Sequence, residues 1–277
     1  VENSGVDLGG RRIIENAANV PKLVDVSRME RRDVLRGLAT GTLVLIAGCA
    51  TNPVTGREQF IIIDESQLQQ ASLQAWAQMR QQVPQWRNAS AQRRLETVGN
   101  RIVQAAGRGG QSWEFVLFDS DQKNAFVLPG GQVGFYRGLY EISDRDDYLA
   151  TVLGHEVGHV TGRHAAERYS REAATSTALQ VAGTQINSQL AMAALGLGAQ
   201  VGLSLPFSRE QEAEADIIGL QYMQRAGYDP RLSIPFWQRM QGSGGSRPPE
   251  FLSTHPDPDN RIQRLRNYIN QQGWGPV

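Results

Sequence analysis

The chain has 277 residues, one cysteine, four histidines and a formal net charge of zero. That length supports one full enzyme domain with a buried core and an extra segment at one end. Balanced charge gives no footing for a nucleic-acid partner. A lone Cys49 rules out an internal disulfide or a cysteine-rich zinc site, and no stretch reads as a clean membrane span of about 20 apolar residues.

Residues 1–28 are polar and mixed, and Met29 marks a candidate initiation site after them. Arg31, Arg32 and Arg36 form a basic start. The short apolar run from Leu38 to Gly48 has the length of a signal-peptide core rather than of a membrane span. It closes on Ile46-Ala47-Gly48-Cys49, which resembles a bacterial lipobox in which Cys49 takes the lipid. The Arg31-Arg32 pair more weakly resembles a twin-arginine export signal. Residues 1–49 are therefore expected to be an extension and lipoprotein signal peptide, and residues 50–277 the working domain. A lipid would tether the protein to a membrane without spanning it. Ala50 rather than aspartate after the cysteine favours the outer membrane, by analogy with Gram-negative lipoproteins.

From about residue 64 to 106 the apolar spacing predicts two helices, the second carrying Leu95, Val98, Ile102 and Val103 and stopping at Gly107–Gly110. Residues 113–118 read as a strand. Residues 124–128 and 132–136 read as two more, joined by a turn at Pro129-Gly130-Gly131. A helix is expected to begin at residues 144–147 and to run unbroken through the histidines to Arg168. Residues 172–205 read as mostly helical. Ser208 is a candidate cap for a helix from about Arg209 to Arg225, ended by Gly227. Pro230 starts another, and Arg261–Asn270 forms the last. The expected class is mainly α with a small β-sheet, α+β.

Three of the four histidines, His155, His159 and His164, lie within ten residues. His155-Glu156-Val157-Gly158-His159 places two imidazoles four residues apart, one helical turn, on one face. Both can reach one zinc ion at about 2.0–2.1 Å. Glu156 stands beside the first ligand, within reach of a metal-activated water whose pKa falls to about 7. Gly158 permits close packing of another element. Apolar Leu149, Val152, Leu153, Val157 and Val160 argue that this helix is buried and not a solvated surface helix.

A catalytic zinc needs a third protein ligand and an open position. In HExxHxxGxxH, Gly162 fits, but Ala165 stands where the third histidine belongs. His164 is one residue early. On a continuous helix it would point about 180° from His155, so a structural hydrogen bond is expected of it. The other scheme draws a carboxylate from Arg209-Glu210-Gln211-Glu212-Ala213-Glu214-Ala215-Asp216. Glu212 shares a face with Ala215, Asp216, Gly219 and Met223. A carboxylate there is costly unless paired, and zinc would be the partner. Asp216, one turn on, is placed to accept a hydrogen bond from His155 or His159 and fix its tautomer. Glu210 and Glu214 read as a solvated acidic helix start.

HEVGH followed by Glu212 and Asp216 resembles metallopeptidase family forty-eight. Asn52-Pro53-Val54-Thr55-Gly56-Arg57, Asn124-Ala125-Phe126, Ala226-Gly227-Tyr228-Asp229-Pro230, and Ser253-Thr254-His255-Pro256 with Arg261 also resemble strings of that family. The resemblance covers nearly everything after Cys49. It implies a gluzincin-type fold and zinc-dependent endopeptidase activity, with one Zn²⁺ per chain on His155, His159 and Glu212 and with Glu156 as base. It also places Asn124 on a strand beside the cleft, to which a substrate could add by main-chain pairing, and His255 and Arg261 near the zinc, with Arg261 expected, like Asn124, to contact substrate. His255 could steady an oxyanion or fill the open metal position; a plain loop histidine before a proline is the bland alternative.

No charged residue lies between Glu172 and Arg209. Five glutamine or asparagine residues and several glycines in that stretch disfavour a membrane helix and favour a helical pair or flap. The leading expectation is a lipid-anchored protease at the periplasmic face of the outer membrane, acting on damaged or misassembled envelope proteins and possessing a route to the outer-membrane assembly machinery. The alternative is a chaperone or assembly factor that keeps zinc but cleaves little because His255 blocks it. An integral membrane protease is the weaker third.

Overall fold

The computed structural model describes residues 49–181, 206–244, 249–256 and 260–275. The signal-like run before Cys49 and most of the uncharged stretch lie outside them. A short hairpin opens the described chain, β1 (Cys49–Thr51) against β2 (Glu58–Phe60). Helices α1 (Glu65–Gln82) and α2 (Ala89–Ala105) follow. Asn88 caps α2 by accepting from the Ala91 N–H at 3.1 Å, and Gly107 at φ +70° takes the chain away from its end.

A three-stranded sheet comes next: β3 (Glu114–Phe118), β4 (Ala125–Val127) and β5 (Gln132–Tyr136), in spatial order β3-β5-β4. β5 runs parallel to β3 and antiparallel to β4, the latter through the Pro129-Gly130-Gly131 turn. Because β4 is at the end of the sheet, one of its edges is unpaired among the described strands. A short helix α3 (Arg137–Ile142) leads to α4 (Asp146–Thr161), α5 (His164–Val181), α6 (Arg209–Arg225), a 3-10 turn (Pro230–Leu232), α7 (Ser233–Gly242), α8 (Phe251–Thr254) and α9 (Arg261–Gln271). The architecture is the α+β class expected from the patterning. Among the described residues no helix is long and apolar enough to cross a membrane.

The core explains the path of α4. Leu95, Val98 and Ile102 of α2, Leu117 of β3, Val133 and Phe135 of β5, and Leu149, Val152, Leu153 and Val157 of α4 form one apolar cluster with Ile218, Phe236, Trp237, Leu265 and Ile269. Asp146 and Asp147 open α4, favourable at a helix N-terminus, and nearly every later residue of it is buried. Such a helix carries polar groups only where something pairs with them.

Helix α6 lies against α4 with backbone almost on backbone. A Cβ on Gly158 would stand 2.9 Å from the Ala215 carbonyl oxygen, and one on Gly219 2.9 Å from the His155 nitrogen. This close approach brings a carboxylate of α6 to the histidines of α4. Gly158→Ala should therefore push α6 away, at an overpacking cost of about 1–3 kcal/mol. Thermal unfolding of that variant checks this, and a parent-like midpoint would contradict it.

The apolar pattern predicts that α4 runs on to Arg168. The helix instead ends at Gly162, and Arg163 takes a left-handed conformation, φ +55°. Chain direction changes there before α5 begins at His164.

Candidate metal centre

Four side chains converge at the α4–α6 contact. His155 Nε2 and His159 Nε2 are 3.0 Å apart. Glu212 reaches both, at 3.3 and 3.2 Å. His255, just after α8, brings Nδ1 to 3.2 Å from His155 Nε2 and 3.0 Å from Glu212 Oε1. One donor atom from each of the four lies within 4.8 Å of every other, and all four residues are buried. Donors arranged tetrahedrally at about 2.0–2.1 Å from one ion sit about 3.3 Å apart, so the spacing suits a small divalent metal.

Sequence and caps deliver Glu212. Ser208 accepts from the Gln211 N–H while Gln211 accepts from the Ser208 N–H, a complete capping box that fixes the first turn of α6. Glu212 is fully buried. Burial alone would raise its pKa, but the surrounding imidazoles hold its carboxyl well below the usual range. His159 goes the other way: burial and the neighbouring imidazoles keep it neutral at far lower pH than an ordinary histidine. For His155, burial is outweighed by the Glu212 and Asp216 carboxylates, which raise its pKa to about 9. With Arg261 balancing one of the Glu212 and Asp216 carboxylates, the cluster holds one further positive charge, either the proton on His155 or a bound cation that displaces it. Donor set, spacing and charge all fit zinc.

Asp216 Oδ1 accepts from His155 Nδ1 at 3.0 Å, which fixes the proton on Nδ1 and turns Nε2, the nitrogen a metal would take in place of a proton, to the cluster. Arg261 donates from Nε to Asp216 and from Nη2 to Glu212, both at 2.8 Å, and lies over the Trp237 ring. Arg261 is thus buried behind the carboxylates and does not face an open cleft, as a substrate contact would. Asn124 immediately precedes β4. Its side-chain oxygen accepts from the Ala125 N–H, which turns it to its own strand rather than to the four converging side chains.

Glu156 is buried, with Oε1 lacking a hydrogen-bond partner among the described residues and 3.5 Å from His255 Nε2. Burial raises its pKa, against the opposing pull of His255 and His155. A carboxylate whose pKa is raised in this way is a better proton acceptor than an exposed one.

Two expectations need correction. Glu214 is not part of a solvated acidic face; it is 9 % exposed and bonds to His164, Thr55 and Asn52. Its helical wheel looks polar because its partners come from distant segments. His164 makes the structural hydrogen bonds expected of it, to His159 and Glu214, but it does so without turning away from the histidines. The bend at Arg163 brings its Nδ1 to 2.9 Å from His159 Nδ1. Glu210 is exposed, as expected. Sequence reasoning also missed the aromatic walls, Phe207 stacked on His159 at 3.9 Å and Phe251 stacked on His255 at 4.2 Å between ring centres. No periodicity marks either residue; only the position of Phe207 directly before the Ser208 cap hints at burial.

An α+β domain whose buried helix carries HEVGH beside a glutamate from a second helix defines a metallopeptidase. The model of Peptidase family M48 matches residues 89–269, and the chain belongs to that family. It is 39 % identical over 194 residues to the beta-barrel assembly-enhancing protease of Yersinia pestis, covering 66 % of this chain and 40 % of that one. The Escherichia coli K12 protein of the same name is 36 % identical over 188 residues, 64 % of this chain and 38 % of that one. The mitochondrial metalloendopeptidase OMA1 of Schizosaccharomyces pombe is 36 % identical over 179 residues, 63 % of this chain and 52 % of that one. The chain thus spans about two fifths to one half of these relatives.

Proposed function

We propose that this chain is a zinc-dependent endopeptidase of the bacterial cell envelope, restrained at rest by His255. The observation that carries the reading is the convergence of His155, His159, Glu212 and His255 at tetrahedral spacing beside the buried Glu156. His155, His159 and Glu212 hold the metal. Zinc in such a site supplies Lewis-acid polarisation of a carbonyl and lowers the pKa of a water to about 7. Glu156 takes the proton of the attacking water and returns it to the departing amine. Arg261 and Asp216 keep Glu212 and His155 in place, so Arg261 is a positioning residue rather than a substrate contact. A peptide adds to the unpaired edge of β4, where Val127 lies against Glu156 and Asn124 shapes the strand start.

The proposal extends to where the enzyme works. Cys49 carries a lipid, residues 1–49 serve as export signal and residues 50–277 as catalytic domain, facing the periplasm from the outer membrane. The names of the Yersinia and Escherichia relatives, beta-barrel assembly-enhancing proteases, support a role in β-barrel assembly, with damaged or misassembled envelope proteins as the proposed substrates and the assembly machinery as the proposed partner. His255 supports a second reading, an assembly factor with little proteolysis, because its Nδ1 sits where the open metal position belongs.

Casein cleavage by His255→Ala separates the roles of that histidine. Release from restraint raises cleavage at least several-fold over the parent. A fall would assign His255 to oxyanion stabilisation instead. No cleavage by either protein would overturn the peptidase reading.

A further inference from the structure

Behind His159 runs a chain of buried contacts that leaves the metal site and ends in the segment directly after Cys49. His159 Nδ1 meets His164 Nδ1 at 2.9 Å, and His164 Nε2 meets Glu214 Oε2 at 3.1 Å. Glu214 also accepts from Thr55 Oγ1 at 2.5 Å and Asn52 Nδ2 at 3.3 Å, and pairs with Arg57 Nη2 at 2.9 Å. Arg57 in turn makes a two-pronged pair with buried Glu167, at 2.9 and 2.7 Å. Asn52 Oδ1 receives the N–H groups of Val54 and Thr55, which shapes the turn between β1 and β2. Gln59 of β2 donates to the Gly162 carbonyl at 2.7 Å, pinning the bend that swings His164 into place.

With His164 as a neutral imidazole, one donor order runs along this chain. An ionised carboxylate only accepts, so His164 Nε2 carries the proton toward Glu214. A neutral imidazole has one N–H, so His164 Nδ1 must accept, and His159 Nδ1 must donate. His159 is left with its Nε2 lone pair facing Glu212 and His155, the tautomer a metal requires. His155 gets the same service from Asp216 and Arg261. Each ligand histidine is therefore held by a carboxylate with an arginine behind it, His155 directly by Asp216 with Arg261 of the last helix and His159 through His164 by Glu214 with Arg57 of the first hairpin.

We propose that residues 52–59 form a strap that sets the tautomer and ring orientation of His159 through Glu214 and His164, so that metal affinity is governed partly by the segment adjoining Cys49. This rests on the metal reading above. His164, Glu214, Thr55 and Arg57 are positioning residues and touch no metal or substrate.

The test is the zinc dissociation constant of the full chain, measured by competition with a chromophoric chelator, together with the visible spectrum of the cobalt-loaded protein. His164→Phe is expected to weaken zinc binding about 10- to 100-fold and to shift the cobalt bands. His164→Gln, whose side-chain oxygen can accept from His159, should recover most of the loss. Thr55→Val, at an exposed position of the strap and so less threatening to folding than removing Arg57 from buried Glu167, should weaken binding about 10-fold. Folded variants with parent-like affinity and cobalt spectrum would overturn the strap. A parent that binds no zinc would instead overturn the metal reading beneath it.

Discussion

Glu156→Gln should lower peptide-bond hydrolysis by about 10²- to 10⁴-fold, the range for losing a positioned general base, while the protein keeps its zinc. Glutamine has the size of glutamate and fills the same buried place on α4, between the ligand histidines and the edge of β4. It cannot take a proton from water. The native carboxyl is suited to that transfer, since burial raises its pKa while His255 and His155 restrain the rise. Because His255 is proposed to restrain the parent, the comparison is cleanest with and without His255→Ala. Hydrolysis within a few-fold of the matched control would show that proton transfer is done elsewhere.

Glu212→Ala has the largest expected effect on the site as a whole. The carboxylate faces His155, His159, His255 and Arg261 at once. Its removal takes away one of the four converging donors and leaves the buried Arg261 with Asp216 as its remaining carboxylate among these contacts. Breaking a buried charge pair costs about 3–5 kcal/mol, which in a domain of this size lowers the melting temperature by roughly 6–20 °C. Glu210→Ala on the same helix is the matched control. That side chain is largely exposed, and its loss should alter neither stability nor metal content. Equal behaviour of the two variants would remove Glu212 from the site.

The half of the site built from His155, His159 and Glu212 is legible in the sequence because the rules involved are local. Two histidines four apart on an apolar helix must share a face. A carboxylate on the inner face of a capped helix needs a buried partner, which identifies Glu212 and, one turn on, Asp216. The strand–turn–strand of β4 and β5 is likewise written in Pro129-Gly130-Gly131. What escapes depends on distant contacts or on backbone exceptions. A left-handed Arg163 is uncommon for a residue with a Cβ, so nothing in the sequence announces that the helix breaks and returns His164 to His159. Glu214 looks solvated on its own helix, since Asn52, Thr55 and Arg57 approach from more than 150 residues away. Strands of three residues, β1 and β2, are too short to show alternation. Arg261 is placed near the metal by resemblance, but only the geometry shows it clasping Glu212 and Asp216 from behind.

Zinc content per chain, determined on the purified protein and on Glu212→Ala side by side, bears most directly on the claim that two helices build one metal centre. One zinc per parent chain and a near-complete loss in Glu212→Ala is the predicted result. Metal-free parent protein, or zinc retained in full without Glu212, would contradict it.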